Sequence, residues 1–188
     1  VSTVAVLIIA TLAAFTVVRL DPPKWATFLL LGQSYAGIVA LNLLAALVAM
    51  IATWRLGQIY YGGRAAFAAL AVMAFWPNLI FFTSILSSEL YFIALVVTGW
   101  YFWARPAGRP WVNLVLAGLI WGLACYVRPV ILLLPAAFAI AALSRGMAAT
   151  LRSTIRAALV IALIVLSVSP WTLRNAREIG KPFLVSSN

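Results

Sequence analysis

Long apolar stretches, each closed by a short polar or turn-forming segment, follow one another along nearly the whole chain. Seven runs stand out, at roughly residues 2–18, 36–54, 65–82, 86–103, 111–127, 129–143 and 155–169. They are continuous and rich in Ala and Leu, without the two-residue alternation of an outer-membrane barrel strand. Backbone polar groups in lipid must be paired within their own segment, which leaves helices as the expected solution. Most runs fall short of the ~20 residues that cross a bilayer at about 1.5 Å each. Shared boundaries, interfacial Trp and Tyr, or a locally thin membrane must make up the difference. The pattern predicts an all-α, polytopic transmembrane bundle of about seven short spans.

The breaks carry turn chemistry. Asp21-Pro22-Pro23-Lys24 closes the first run, and Trp25 to Leu31 reads as a short amphipathic piece in the interface. Gly62-Gly63-Arg64 precedes the third run, Pro77 interrupts it near its end, and Arg105-Pro106-Ala107-Gly108-Arg109-Pro110 is a loop. Arg128-Pro129 leaves so little room that the fifth and sixth runs should form a tight hairpin, and Pro135 should kink the sixth. Gly118 and Gly122 let another helix approach the fifth run closely. Pro170 is expected to end the seventh run, with Trp171 anchoring at the interface and Arg174 and Asn175 facing water. No internal repeat is evident.

Composition excludes a soluble fold: 66% of residues are apolar and 9% charged, with mean hydropathy +1.12. Thirteen Lys and Arg against three Asp and Glu leave a net charge of +10. Such a balance suits nucleic acid in other contexts, but here the cations sit singly at the edges of apolar runs. They are expected to set topology and meet anionic headgroups of membrane lipids, with no nucleic-acid partner. The absence of His and a lone Cys125 in an apolar run remove most metal and Cys/His nucleophile chemistry, so neither a metal site nor a cofactor is expected. The chain starts with Val1 directly in an apolar run, with no basic segment before it and no small-residue cleavage site after Val18. It is expected to be a piece of a longer protein: one transmembrane domain over 1–188, with 170–188 opening an extracytoplasmic segment.

Alternating the spans puts Arg55, Arg64, Arg105, Arg109, Arg145, Arg152 and Arg156 on one membrane face. Arg19, Lys24, Arg128, Arg174, Arg177 and Lys181 fall on the other, together with Asp21, Glu89 and Glu178. Mixed charge gathered at one surface marks where a site is expected, and that face is assigned outside the cytoplasm. Glu89, after Ser87 and Ser88, is either a capped first-turn acid favoured by the helix dipole or a carboxylate kept at membrane depth for a task. Asp21 is either the start of an Asp-Pro turn or a general base for an acceptor. Arg128 either snorkels to the interface or holds two phosphate oxygens in its planar fork.

The exit Ser169-Pro170-Trp171-Thr172-Leu173-Arg174-Asn175, continuing through Gly180-Lys181-Pro182 to Ser186-Ser187-Asn188, is the most informative stretch. It resembles the membrane glycosyltransferases of the C superfamily. The closest branch holds the dolichyl-phosphate-mannose protein mannosyltransferases and the bacterial aminoarabinose transferases of lipid A. Tyr61-Gly62-Gly63-Arg64 before a span ending in Trp76-Pro77, Ser88-Glu89 opening the next, and Gly118 to Gly122 leading to Arg128-Pro129 agree with it in order. The resemblance covers roughly residues 36–188 and implies a glycosyltransferase C-like N-terminal core. Its first external loop is usually long with an Asp-Glu pair, whereas no Glu follows Asp21 here.

The resemblance implies an enzyme that takes a sugar from a polyprenyl-phosphate donor and places it on a protein, lipid or glycan acceptor outside the cytoplasm. Asp21 and Glu89 become the catalytic candidates, with Glu89 in the active-site cavity. Arg128 and Arg174 become the donor-phosphate ligands, Lys181 is grouped with them, and Trp171 and Asn175 support them. The setting it implies is the bacterial inner membrane, crossed several times, with the active site outward. A sugar phosphodiester already carries a good leaving group, so one carboxylate base and cations to neutralise the departing phosphate suffice. The alternative is a transporter or lipid flippase subunit, which would want ionisable groups near mid-membrane in discontinuous helices and internal repeats.

Overall fold

The computed structural model describes residues 35–85, 87–105 and 110–179. The expected first span, Asp21, the Trp25–Leu31 piece, Lys181 and the Ser186–Asn188 end lie outside them. The described residues hold seven α-helices, α1 (Tyr35–Tyr61), α2 (Gly63–Phe75), α3 (Pro77–Ser84), α4 (Glu89–Ala104), α5 (Pro110–Val127), α6 (Leu133–Ala141) and α7 (Met147–Ile179). Three of them, α1, α5 and α7, are long and apolar enough to cross a membrane, and α2 with α3 makes a fourth crossing if the bent pair is one span. Outward faces agree with lipid as the solvent. Leu43, Leu47 and Ile51 on α1, and Leu151, Ile155 and Leu166 on α7, are exposed. The protein is an integral membrane protein.

The helices form two compact units, the first ending at Ala104 and the second beginning at Arg105. In the first, α1 carries a seam of small residues at helical spacing, Ala45, Val48, Ala49, Ala52 and Leu56, all buried. It packs along α4, whose Leu90, Ala94 and Leu95 are fully buried. Small residues bring backbones together in the way membrane helices need when no hydrophobic gain separates lipid from protein. Gly62, at φ 84, reverses the chain between α1 and α2 within a single residue. A Cβ on Gly57 would lie 2.8 Å from the Cα of Ala66, so that glycine is what lets α1 and α2 touch.

The third apolar run is broken at Trp76, which takes an extended conformation (ψ 115) before Pro77. A residue preceding proline is pushed out of the helical region by the ring, while proline itself is well placed at the first position of the next helix. The two pieces meet at 51°. α3 then runs back toward the early part of α1, and α4 returns beside α1 from near the level of Asn42, Trp100 near its end donating to the Tyr60 hydroxyl at 3.4 Å. The path is out along α1, back along α2 and α3, and out again along α4.

The second unit has a similar path. Gly118 faces Leu163 and Gly122 faces Ser167, so α5 and α7 run parallel and in step. The close approach expected of those glycines is real: a Cβ on either would sit 2.7–2.8 Å from side-chain atoms of α7. Arg128, extended before Pro129 (φ −146, ψ 118), ends α5, and a 3-10 turn over Pro129–Leu132 leads into α6. The hairpin is tight, with Trp121 of α5 stacked on Phe138 of α6 at 6.1 Å. Gly146, at φ 94, turns the chain into α7.

The sixth run changes from a 3-10 turn to α-helix just before Pro135, which leaves the proline in the first turn of α6, where no N–H is owed to the ladder. One expectation about proline is corrected. Pro170 does not end the seventh run, and α7 continues through it to Ile179. The carbonyl that a proline at this position orphans belongs to Leu166, and the Ser169 hydroxyl donates to it at 2.8 Å. Side-chain hydroxyls repair helices in this way where lipid offers no donor. A sequence reader sees Pro170 as a stop and does not see the repair beside it.

Candidate active site

Glu89 opens α4 and is half-buried. Its own N–H donates to the Ser87 hydroxyl at 3.2 Å, and Phe92 N–H donates to the Ser88 carbonyl at 3.0 Å. Ser87, one residue before the capping position, thus takes one of the free N–H groups of the first turn. A carboxylate in the first turn also faces the positive end of the helix dipole. Both the structural and the functional readings of Glu89 remain compatible with this placement.

What sequence reasoning missed is the device that sets where this turn sits. Asn42, on α1 and 0% exposed, points its amide nitrogen at the end of α3. It donates to the carbonyls of Phe82 at 3.3 Å, Thr83 at 3.2 Å and Ile85 at 2.8 Å. Two further side chains complete the cap. Thr83 Oγ1 donates to the Ile80 carbonyl at 2.7 Å, and Ser84 Oγ to the Phe81 carbonyl at 2.8 Å. The last carbonyls of a helix have no partner within it, and here side chains supply them. Because every neighbour of that amide is a carbonyl, the nitrogen must face them. The signal in the sequence was an Asn in the apolar stretch 36–52 of this helix, a residue expensive to bury without partners.

Asn42 lies seven residues beyond the first residue of α1, about 10 Å along its axis. Ile85, and with it the start of α4, is therefore recessed beside the flank of α1. The described cations of this unit, Arg55 and Arg64, stand at the opposite end and flank the α1–α2 turn. Beside α4, an open apolar recess of about 420 Å³ follows the α2–α3 bend, lined by Ala69, Val72, Met73, Trp76, Leu79 and Ile93. Ile93 is one helical turn beyond Glu89.

In the second unit, Arg128 is exposed at the end of α5 and Arg174 is exposed on α7. The register fixed by Gly118 and Gly122 sets the end of α5 level with the turn of α7 that carries Arg174. The two arginines thus share one end and one height of this unit. Arg174 lies over the ring of Trp171 at 5.6 Å, which restrains its swing. Trp171 and Asn175 are half-buried on the same stretch of helix, rather than in a chain leaving the membrane beyond Pro170. Arg145, Arg152 and Arg156 stand at the other end, around the start of α7.

Asp21 and Lys181 lie outside the described residues. Among the described residues, no three of His, Cys, Asp and Glu come together as a metal site would require. Cys125 is a free, fully buried thiol in the core of the second unit, in keeping with helix packing.

Comparison with known proteins adds one finding. The family described as dolichyl-phosphate-mannose-protein mannosyltransferase matches residues 24–173. No curated protein and no solved structure matches the chain.

Proposed function

Because the chain belongs to the dolichyl-phosphate-mannose-protein mannosyltransferase family, we propose that it moves a sugar from a polyprenyl-phosphate-linked donor to a protein, lipid or glycan acceptor. The transfer takes place on the extracytoplasmic face, which in a bacterial cell is the outer face of the inner membrane. A membrane glycosyltransferase of mannosyltransferase type is what the family gives; the donor, the acceptor and the residue roles are our own reading.

The observation that favours it is the common height of Arg128 and Arg174 in their unit, two guanidinium groups from distant points of the chain at one end of a helix pair. Planar guanidinium forks suit phosphate oxygens, and two of them balance the charge that grows on a departing lipid phosphate. In this reading Asp21 takes the proton from the acceptor group as that group's lone pair attacks the anomeric carbon. The bond from that carbon to the phosphate oxygen breaks, and the polyprenyl phosphate leaves carrying the electron pair. Arg128 and Arg174 hold it, with Lys181 as a further cation, while Trp171 and Asn175 keep Arg174 in place. Glu89 binds sugar or acceptor hydroxyls at the mouth of α4. The recess one turn from Glu89 offers an apolar chain a surface to lie against.

One feature favours a second reading, a lipid transporter or flippase subunit: the 51° break between α2 and α3 opens on a recess that reaches Ile93, one turn from Glu89, and discontinuous helices serve transport sites. One experiment separates the two. Transfer from labelled polyprenyl-phosphate sugars is measured with the full-length protein and with Asp21→Asn, Glu89→Gln and Arg128→Ala. The glycosyltransferase reading expects losses of about 100-fold or more for the aspartate, with smaller losses for the other two. Unchanged transfer in all three removes the residue assignment, and translocation of the labelled lipid without sugar transfer supports the transporter.

A further inference from the structure

Asn42 is a polar side chain in a fully buried position of an apolar helix. Its Oδ1 meets no partner among the described residues, while its Nδ2 serves three carbonyls. Burying an amide with one end unmatched is costly, and a leucine of similar size would avoid that cost. Packing therefore does not explain an asparagine here; the three carbonyls do. They belong to the end of α3 and to Ile85, four residues before Glu89. Without Asn42 the end of α3 would give up its donors beside the flank of α1, in a place where lipid supplies none. The Phe82, Thr83 and Ile85 carbonyls would then have to turn elsewhere, carrying the start of α4 with them.

We infer that Asn42 is a positioning residue for Glu89: by clamping the Phe82, Thr83 and Ile85 carbonyls to α1, it sets the depth and heading of the turn that presents the carboxylate. This rests on the proposed role of Glu89 for its catalytic consequence but not for its structural one. Asn42 touches no substrate and acts only through the turn. Ser87 completes the chain of contacts, taking the Glu89 N–H at 3.2 Å.

The test uses the full chain in lipid, with amide hydrogen exchange and sugar transfer measured on the same preparations. Asn42→Leu keeps the size and removes the donors. Amides of residues 87–92 should exchange at least about 10-fold faster, while those of 113–125 in the second unit keep their rates. Transfer should lose about 10-fold in kcat/KM, and no more than Glu89→Gln loses, because the carboxylate that binds the substrate hydroxyls is displaced while the Arg128 and Arg174 contacts survive. In a Glu89→Gln background, Asn42→Leu should cost less than about threefold more, since both act on one group. Asn42→Ser, which retains one donor, should fall between wild type and Asn42→Leu in exchange, and it takes the place of the leucine variant should that one fail to fold. Unchanged exchange at 87–92, equal acceleration at 113–125, or losses that multiply with Glu89→Gln would each overturn the inference. A wild-type protein that transfers no sugar from any polyprenyl-phosphate donor would remove the proposed function instead, and the exchange data would still decide the clamp.

Discussion

The two units trace the same path, a helix out, a broken element back and a second helix parallel to the first, yet the end of the return element is held by a buried amide in one and by hydroxyls in the other. In the first unit the return element ends well inside the length of α1, and a buried amide must satisfy its carbonyls. In the second, the long helices α5 and α7 lie against each other along Gly118 and Gly122; hydroxyls of α7 also reach the end of the return element, Thr150 donating to the Ala142 carbonyl at 3.0 Å and Ser153 to that of Phe138 at 3.2 Å, and others serve the long helices. Ser169 donates to the Leu166 carbonyl across the Pro170 gap and Ser167 donates to Leu163 at 2.8 Å, while Tyr126 reaches the Ser167 carbonyl at 2.6 Å. A helix that stops within the membrane needs a polar partner from another helix, whereas a helix that crosses needs close contact and local repair. The carboxylate falls in the first kind of unit and the paired arginines in the second.

Substitutions can break that contrast, and the largest effect is expected at the glycine seam. Gly118→Val places atoms where Leu163 already stands and should destabilise the protein by about 3 kcal/mol or more, since overpacking a fitted contact forces the backbone apart. Thermal unfolding in lipid or detergent measures it, and exchange should quicken first in α5 and α7. Asn42→Leu should cost about 2 kcal/mol, less than the loss of three hydrogen bonds suggests because it also removes the unmatched Oδ1. Its exchange signature belongs to the end of α3 and the start of α4, so a signature spread over both units would dissolve the distinction.

Smaller changes sharpen it. Ser169→Ala leaves the Leu166 carbonyl beside Pro170 without its hydroxyl and should cost about 1 kcal/mol, with faster exchange confined to the middle of α7. A variant that behaves as wild type would mean that α7 tolerates the gap unaided. Ser87→Ala should cost only about 0.5–1 kcal/mol, the ordinary value of a helix cap. It should leave unfolding almost unmoved while lowering sugar transfer a few fold, because Glu89 stands directly after the lost contact. A transfer rate identical to wild type would separate the cap from the site.

Much of the architecture was legible in the chain itself. Apolar runs bounded by Gly62-Gly63 and Arg128-Pro129 marked where helices turn, because lipid admits no other way to pair the backbone. Trp76 before Pro77 marked the break, since a proline ring excludes the residue ahead of it from the helix. The spacing of Gly118 and Gly122 announced a close helix contact, and Ser87 with Ser88 announced a serine contact at the first turn of α4. Local rules suffice for features decided by neighbours a few residues apart.

Other features depended on partners far along the chain. Pro170 reads as a stop from its own chemistry, and only the helix around it, with Ser169 turned onto Leu166, makes it a passage. Asn42 carries no local sign of its role, because the carbonyls it holds are some 40 residues away. The level of Arg128 with Arg174 likewise follows from glycine contacts made elsewhere on α5 and α7. Sequence decided which segments are helices and which solvent they face, a matter of backbone pairing and apolar area; folding decided how deep a helix ends and which distant side chain completes it, because a buried polar group is satisfied by whatever the packing brings alongside.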